Sequence, residues 1–178
     1  MNICVYGASS DDILTHYKEE VQRLGSLLAQ RGHTLVYGGG THGLMGAVMR
    51  GVASQKGKSI GIAPRFFDTG DILCKNCTEF IFTETMRERK ALMEERADAF
   101  IMGAGGIGTY EEFFEILTLR QLKKHQKPIG ILNTLGYFDP LINLLDITYQ
   151  KGFMREDISK DYVVATSPNK ILEMIENM

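Results

Sequence analysis

The sequence predicts an α/β fold in which a mostly parallel sheet carries helices on both faces. Apolar runs of strand length alternate with longer stretches of helical period, and several of the runs are apolar at nearly every position. Strands covered on both faces have this pattern, and alternation with helices is typical of parallel sheets. The 178 residues match one domain, and no linker or repeat divides them. We therefore expect a single domain over residues 1–178.

Each element follows from one of these two patterns. The strands predicted from the apolar runs are Ile3–Tyr6, Thr34–Tyr37, Ser59–Ala63, Phe80–Thr83, Ala99–Met102, Pro128–Leu132 and Tyr162–Ala165. Helical periodicity between them predicts helices at about 12–31, 43–56, 85–97, 109–125, 137–151 and 168–177. Residues 65–78 match neither pattern, so we expect an irregular segment there that could form a flap.

The composition is that of an ordinary globular protein. Hydrophobic residues make up 44% and charged residues 24%, which excludes disorder and low-complexity repeats. The formal charge of −2 provides no basic field for a nucleic acid, and no apolar run has the ~20 residues of a membrane span. The first residues lead directly into a strand, so no signal peptide is expected. Three cysteines, an odd count, favour free thiols and a cytoplasmic location.

Glycine is the one residue type in clear excess. Nine of the 19 glycines fall in two clusters, 38–46 and 103–108, and each cluster directly follows a predicted strand. Because ligands of open α/β sheets bind beyond the carboxyl ends of the strands, the clusters are candidates for a ligand cleft. The alternative is that these glycines only form tight turns. Two clusters on neighbouring strands favour the cleft.

Both clusters match the G-x-G-x-x-G pattern of dinucleotide sites, but the rest of that signature is missing. It requires an acidic residue at the end of the next strand, where this chain has Ala63-Pro64-Arg65 and Leu132-Asn133-Thr134. The chain also lacks a G-x-x-x-x-G-K-[ST] motif, so a magnesium nucleoside triphosphate is not expected. A glycine turn leading into a helix N-terminus suits a single phosphate, because its backbone amides are free.

The predicted helix 85–97 begins with a capping box formed by Thr85 and Glu88. Two cations lie on its otherwise apolar stripe, and apolar members of a stripe indicate an inward face. An unpaired buried cation is costly, so an anion should lie opposite the two cations. The alternative, which the pattern alone favours, is that both side chains extend along the helix to solvent. The stripe consists of Met86, Arg89, Lys90, Met93 and Ala97.

A second capping box is predicted at Thr109 and Glu112, which places the start of the next helix at Thr109. In that arrangement Glu112 folds back towards backbone donors at the helix N-terminus. The alternative is that Glu112 points into the cleft beside the phosphate turn, where Arg89 could meet it. The two interpretations exclude each other, because one carboxylate cannot take both positions at once.

Other candidate sites have less support. Four scattered histidines lack the spacing of metal ligands, so no metal is predicted. Cys74 and Cys77 form an isolated C-x-x-C pair in the unassigned segment, which is weak support for a zinc or redox role. Ser9 follows the first strand without a nucleophile-elbow pattern. It is better suited to donate a hydrogen bond to a sugar or phosphate.

Three ordered motifs stand out along the chain: Tyr37-Gly38-Gly39-Gly40-x-x-Gly43-Leu44-Met45-Gly46, Met86-x-x-Arg89-Lys90-x-x-Met93 and Gly105-Gly106-x-Gly108-Thr109-x-x-Glu112. Together they resemble the signature of the LOG ("Lonely guy") family of cytokinin riboside 5′-monophosphate phosphoribohydrolases. The resemblance implies a Rossmann-like doubly wound sheet and a homodimer with sites near the subunit boundary. It also implies that the N-glycosidic bond of a nucleoside 5′-monophosphate, AMP or N6-modified AMP, is hydrolysed to free base and ribose 5-phosphate without a cofactor.

The resemblance assigns roles to individual residues. Arg89 and Glu112 would be the catalytic pair. The carboxylate would stabilise an oxocarbenium-like sugar, and the guanidinium would fix the carboxylate or assist the leaving base. The last glycine turn would hold the 5′-phosphate. Residues expected to bind the substrate are Ser9, Gly39, Gly40, Met86, Lys90, Gly105, Gly106, Gly108, Thr109, Glu111 and Thr118.

Two positions depart from the family pattern. Ala104 stands where the family has proline, which affects the rigidity of the turn. Leu119 follows Thr118 where the family often has tryptophan, which affects packing around the base. These departures concern selectivity for an N6-isoprenoid base more than the hydrolysis itself. The alternative from another class is a non-catalytic nucleotide or cofactor carrier of the same fold.

Overall fold

Seven strands form one parallel sheet in the computed structural model, which describes residues 1–69, 72–74, 76–154 and 157–178. The strands are β1 Asn2–Tyr6, β2 Thr34–Tyr37, β3 Lys58–Pro64, β4 Glu79–Thr83, β5 Ala99–Met102, β6 Ile129–Leu132 and β7 Val163–Ala165. Their order across the sheet is β4-β3-β2-β1-β5-β6-β7, and every neighbouring pair is parallel. The predicted α/β class is confirmed, and each predicted strand ends within one residue of its prediction.

Helices connect successive strands, and two of them differ from a predicted bound by three residues or more. The first helix begins three residues later than predicted, because the Asp12 amide donates to Ser10 Oγ at 3.2 Å in a turn. The fourth ends four residues earlier, where Lys123 adopts a φ of 57°. The helices are α1 Thr15–Gln30, α2 Gly43–Ser54, α3 Met86–Arg96, α4 Ile107–Gln121, α5 Asp139–Gln150 and α6 Pro168–Glu176. Within the described ranges, no helix has both the length and the apolar character needed to cross a membrane.

The sheet separates two hydrophobic cores. Alternate side chains of β1 enter opposite cores, as the pleat of a strand requires: Val5 lies in one and Tyr6 in the other. The first core is closed by α1, α2 and α6, and the second by α3, α4 and α5. This arrangement is a doubly wound sheet with helices on both faces, as predicted.

Strand β1 lies in the middle of the sheet, and the strand order reverses there. Strands β2 to β4 lie on one side of β1, and strands β5 to β7 lie on the other. The loops that follow β1 and β5 therefore lead to opposite faces, and a crevice opens between them at the carboxyl edge. One backbone hydrogen bond crosses this crevice, from the Ala8 amide to the Ala104 carbonyl oxygen at 2.9 Å.

The segment without a predicted element lies beside this crevice. It contains a 3-10 helix, Arg65–Phe67, and an antiparallel bridge between Gly40 and Leu73. The Cys74 amide donates to the Gly39 carbonyl oxygen at 2.7 Å, which ties the segment to the first glycine cluster. Residues 70, 71 and 75 of the predicted flap lie outside the described residues. The described part forms one side of the cavity that opens there.

Candidate active site

A cavity of about 590 Å³ opens at the carboxyl edge of the sheet, and we call it the ion-pair cavity after the Arg89–Glu112 pair in its wall. The loops after β1, β2 and β5 and the first turns of α3 and α4 enclose it. The predicted site residues in its lining are Ser9, Gly40, Met86, Arg89, Gly106, Gly108, Thr109 and Glu112. Four separate stretches of the sequence therefore meet at one place, as the predicted cleft requires. The two glycine clusters follow β2 and β5, which lie on either side of β1 and are not neighbouring strands as predicted.

Arg89 and Glu112 form a buried ion pair across α3 and α4. Arg89 Nη1 lies 2.6 Å from Glu112 Oε1, and each side chain is 11% exposed. The guanidinium occupies space that only a glycine leaves free, because a Cβ at Gly38 would lie 2.5 Å from Arg89 Nη2. Arg89 Nε is buried without a hydrogen-bond partner in the described part of the chain. The guanidinium therefore retains donor capacity beyond its bond to the glutamate.

Burial raises the pKa of Glu112, and this effect exceeds the opposite effect of the nearby Arg89 charge. Desolvation disfavours the charged form of a carboxyl group, whereas a neighbouring cation favours it. The Arg89–Glu112 pair thus combines a carboxylate with a raised proton affinity and a guanidinium that holds it in place. Such perturbed groups in a cavity are typical of sites that move protons or stabilise charge.

The second glycine cluster forms the N-terminus of α4. Gly106 is the N-cap, no side chain caps the helix, and the first turn contains no acidic residue. The first amides of a helix have no partner within the helix, so they are available to an anion at this end. The Thr109 side chain lies beneath the turn, where a Cβ at Gly105 would collide with its hydroxyl.

The predicted capping box at Thr109 and Glu112 is wrong. Helix α4 begins at Ile107, so Thr109 already lies inside the first turn and Glu112 lies on the side that faces α3. Of the two interpretations of Glu112, the geometry selects the one in which it meets Arg89. Of the box predicted at Thr85, the N-cap bond is confirmed, since Thr85 Oγ1 accepts from the Glu88 amide at 3.1 Å, and the return bond is not formed. The Glu88 carboxylate accepts from the amide of Glu84 rather than from that of Thr85.

A second ion-pair row lies outside the first. Lys90 pairs with Glu111 and, at 2.7 Å, with Glu115. These two glutamates raise the pKa of Lys90 through their hydrogen bonds. The expectation that anions lie opposite the two cations of α3 is confirmed, and extension of both cations to solvent is wrong. Sequence alone favoured that extension because it did not show which face of α4 lies opposite.

The remaining predicted site residues surround the cavity without lining it. Lys90, Glu111 and Thr118 lie on the outer α3–α4 surface, and Thr118 is exposed. Gly39 has a φ of +74° in the turn after β2, and a Cβ there would contact the Phe80 ring. Gly105 lies on the opposite side of the turn, in the lining of a second cavity.

Several residues that line the ion-pair cavity were not predicted. Tyr6 at the end of β1 and Met45 on α2 are two of them. Phe67, Ile72 and Leu73 come from the irregular segment. Periodicity gives no information about such a segment, and its only signal was the apolar content of a loop beside a glycine cluster.

The cysteine pair lies close to the cavity without a metal-binding arrangement. Cys77 Sγ lies 3.1 Å from the Tyr37 hydroxyl and donates to the Cys74 carbonyl oxygen at 3.0 Å. Both cysteines are free thiols. Across residues 1–69, 72–74, 76–154 and 157–178, no three His, Cys, Asp or Glu side chains form a group that could hold a metal ion.

Comparison with known proteins identifies the family. A family model described as "Possible lysine decarboxylase" matches residues 45–175. Cytokinin riboside 5′-monophosphate phosphoribohydrolase LOG2 of Arabidopsis thaliana is 37% identical over 174 residues, which is 98% of this chain and 82% of that protein. The corresponding LOG enzyme of Oryza sativa subsp. japonica is also 37% identical, over 98% of this chain and 72% of that protein. The chain belongs to the LOG family.

Solved structures share the fold of this LOG-family chain. The molybdenum cofactor binding protein of the phototrophic bacterium Rippkaea orientalis matches with a TM-score of 0.72 and 22% identity, over 99% of this chain and 94% of that chain. The molybdenum cofactor carrier protein of Chlamydomonas reinhardtii matches with a TM-score of 0.75 and 20% identity, over 99% and 96% of the two chains. At these identities the likeness establishes the fold.

Proposed function

We propose that this LOG-family chain hydrolyses the N-glycosidic bond of a nucleoside 5′-monophosphate, AMP or N6-modified AMP, to the free base and ribose 5-phosphate. One observation carries the proposal: the buried Arg89–Glu112 pair and the uncapped glycine turn line the same cavity. The turn offers backbone donors to a phosphate, and the pair offers a carboxylate to the sugar that carries this phosphate. The names of the LOG relatives in Arabidopsis and rice support the same reaction.

The reaction needs stabilisation of positive charge on the ribose. Cleavage of an N-glycosidic bond develops an oxocarbenium-like sugar, as in other glycoside hydrolysis. Ionised Glu112 would stabilise this charge and orient the water that adds to the anomeric carbon, and the base leaves with the bonding electron pair and takes up a proton. Arg89 would hold the carboxylate in position. Its remaining N–H groups could donate to the sugar or to the leaving base.

The substrate-binding residues follow from the same orientation. The 5′-phosphate would bind the amides of Gly106 and Gly108 and the hydroxyl of Thr109, with Ser9 donating from the β1 side. Gly40 gives the ligand close access to the backbone after β2. Met86, at the mouth of the cavity and 38% exposed, would pack against the base. No step in this scheme uses a metal or a cofactor.

Product analysis tests the proposal directly. The protein is incubated with AMP and, separately, with N6-isopentenyladenosine monophosphate, and the mixtures are separated by chromatography. The expected result is free base and ribose 5-phosphate in equal amounts. Binding of both nucleotides without turnover would contradict the proposal and support a non-catalytic carrier.

We further propose that the protein is a homodimer that pairs through the outer α3–α4 surface. The apolar side chains of Ile107, Phe114 and Leu122 are exposed along α4, and Ile107 is 84% exposed. A second subunit on this surface would cover Glu111 and Thr118 and bring them close to the mouth of a site. Light scattering should give twice the chain mass at micromolar concentration, and a monomer would contradict the pairing.

We also propose a cytoplasmic location. Cys4, Cys74 and Cys77 are free thiols, which suits a reducing compartment. Cell fractionation tests the location, with the protein expected in the cytosolic fraction. Recovery from an oxidising compartment would contradict it.

A further inference from the structure

A second and larger cavity lies on the other side of the glycine turn. Its volume is about 760 Å³, and we call it the tyrosine cavity after Tyr17 and Tyr137 in its wall. It is bounded by the β1–α1 loop, the start of α1 and the turn after β5. Among the described residues, only Ala8 and Gly106 line both this cavity and the ion-pair cavity. The proposed reaction uses none of its side chains.

The walls of the tyrosine cavity suit a flat aromatic ligand. The rings of Tyr17 and Tyr137 lie 5.8 Å apart at 76° to each other, so they form an aromatic corner. Ile13 and Leu14 add aliphatic surface, and Leu14 is 66% exposed. Aromatic rings prefer offset stacks or edge-to-face contacts at such distances, and an aromatic ligand could make both here. Small-molecule sites are concave and mostly apolar, with volumes of roughly 300–1,000 Å³.

The charge of the lining indicates which aromatic ligand fits. Asp12 is the only charged residue among the described residues that line this cavity. Because the described lining contains this carboxylate and no cation, it disfavours a phosphate or other anion, whereas the carboxylate accepts hydrogen bonds from an amino group. Ser10 and Thr15 add hydroxyl groups that can either donate or accept. The ligand should therefore be uncharged or cationic, flat, and equipped with an amine.

We propose that the tyrosine cavity is a binding site for a free purine base with an exocyclic amine. The base stacks in the corner between Tyr17 and Tyr137, and its amine donates to the Asp12 carboxylate. The choice of a purine rests on the proposed function, which releases such a base in the adjoining cavity. The choice of a flat amine rests on the cavity alone.

Equilibrium dialysis with radiolabelled adenine tests this site. Because adenine could also enter the ion-pair cavity, we use Glu112→Gln saturated with AMP, which fills that cavity while the substitution slows turnover. We expect adenine to bind in the tyrosine cavity at about one per chain. Adding Tyr17→Ala should weaken the binding at least tenfold, whereas Tyr149→Ala, a tyrosine on α5 outside both cavities, should leave it unchanged.

Two further binding measurements test the contacts that the base makes with Asp12 and with Tyr137. Purine, which lacks the exocyclic amine, should bind less tightly than adenine, and Asp12→Asn should reduce that difference. Tyr137→Phe keeps the ring and should keep the affinity for adenine. Thermal melting of each variant shows that it is folded, and Tyr137→Phe and Asp12→Asn test the site even if Tyr17→Ala fails to fold.

The outcomes separate this proposal from the proposed function. No adenine binding in the presence of AMP, or binding that Tyr17→Ala leaves unchanged, would overturn the tyrosine cavity as a site. Equal affinity for adenine and purine would overturn the role of Asp12. If the wild type fails to hydrolyse AMP but adenine binding depends on Tyr17, the proposed function falls and the site stands.

Discussion

Two rows of ion pairs join α3 to α4, and they lie side by side in different surroundings. In the inner row Arg89 and Glu112 are each 11% exposed and face the cavity. In the outer row Lys90 pairs with Glu111 and Glu115, which are 53% and 43% exposed. Arg89 and Lys90 are adjacent in sequence, as are Glu111 and Glu112, so the difference arises from the helix faces on which they lie.

This difference in burial indicates that a contribution to stability explains the outer row but not the inner row. Exposed ion pairs contribute about 0–1 kcal/mol, and a row of this kind can hold two helices together. Removing an ion from water costs several kcal/mol, and apolar side chains of similar size often pack as well as a buried pair. The inner row therefore stabilises the contact between α3 and α4 no better than apolar side chains of similar size would. Its position in a cavity beside the glycine turn of α4 suits the catalytic role proposed for it.

The largest expected effect separates the rows by turnover. Glu112→Gln should lower kcat for AMP hydrolysis by about 10²–10⁴-fold, because the charged form of a positioned carboxyl group is lost. Glu115→Gln is the matched control in the outer row and should leave kcat within about twofold, with about 0.2–1 kcal/mol lost in stability. Steady-state kinetics and denaturant unfolding of both variants measure this. A folded Glu112→Gln with full activity would remove the distinction between the rows.

An intermediate effect concerns pH, because the pKa of Glu112 is raised by burial. If ionised Glu112 acts in the reaction, kcat should fall at acid pH with a midpoint above the ordinary glutamate pKa of about 4.3. The pH dependence of kcat for AMP measures this midpoint. Between the ordinary pKa and the raised pKa, the folded protein binds more protons than the unfolded chain. The contribution of Glu112 to the free energy of unfolding therefore falls as pH rises through this interval.

The stability difference between wild type and Glu112→Gln isolates this contribution. It should decrease from low pH towards neutral pH as Glu112 ionises in the folded protein. Urea titrations at several pH values measure it, with Glu115→Gln as the comparison. A difference that grows with pH would mean that Arg89 lowers the pKa more than burial raises it.

The smallest expected effect concerns the turn beside the inner row. Ala104 is joined to the β1–α1 loop through its carbonyl oxygen, which proline retains. Ala104→Pro should raise the free energy of unfolding by about 0.4–1 kcal/mol by restricting the unfolded chain, and Ala104→Gly should lower it. KM for AMP should stay equal or fall with proline, because the turn is better organised before binding. Loss of stability together with a higher KM would show that this turn differs from that of its family.

Sequence predicted the parts of this molecule that depend on local pattern. The seven strands were found because buried parallel strands are apolar at nearly every position, as in Ala99–Met102. The start of α4 was missed because the spacing of Thr109 and Glu112 fits both a capping box and the inside of a first turn. The direction taken by Lys90 depended on which face of α4 lies opposite, and no pattern within one helix contains that information.

The cavity linings show the same limit. Glycines of the two clusters were predicted because their spacing is itself a signal. Phe67 and Leu73 lie in an irregular segment, and Tyr137 reaches the glycine turn from the loop after β6, with its hydroxyl donating to the Gly105 carbonyl oxygen at 2.8 Å. Contacts of this kind come from topology, which brings distant loops to one edge of the sheet.

The most direct test of the account compares kcat/KM for AMP with that for adenosine. In the proposed reaction, a phosphate fixed on the Gly106–Thr109 turn positions the ribose against the inner row. Two charge-assisted hydrogen bonds to the phosphate, at about 1.5–3 kcal/mol each, correspond to a preference of about 100-fold or more for AMP. Remote binding of this kind contributes to turnover of the bond that reacts. Equal values of kcat/KM for the two substrates would contradict the account.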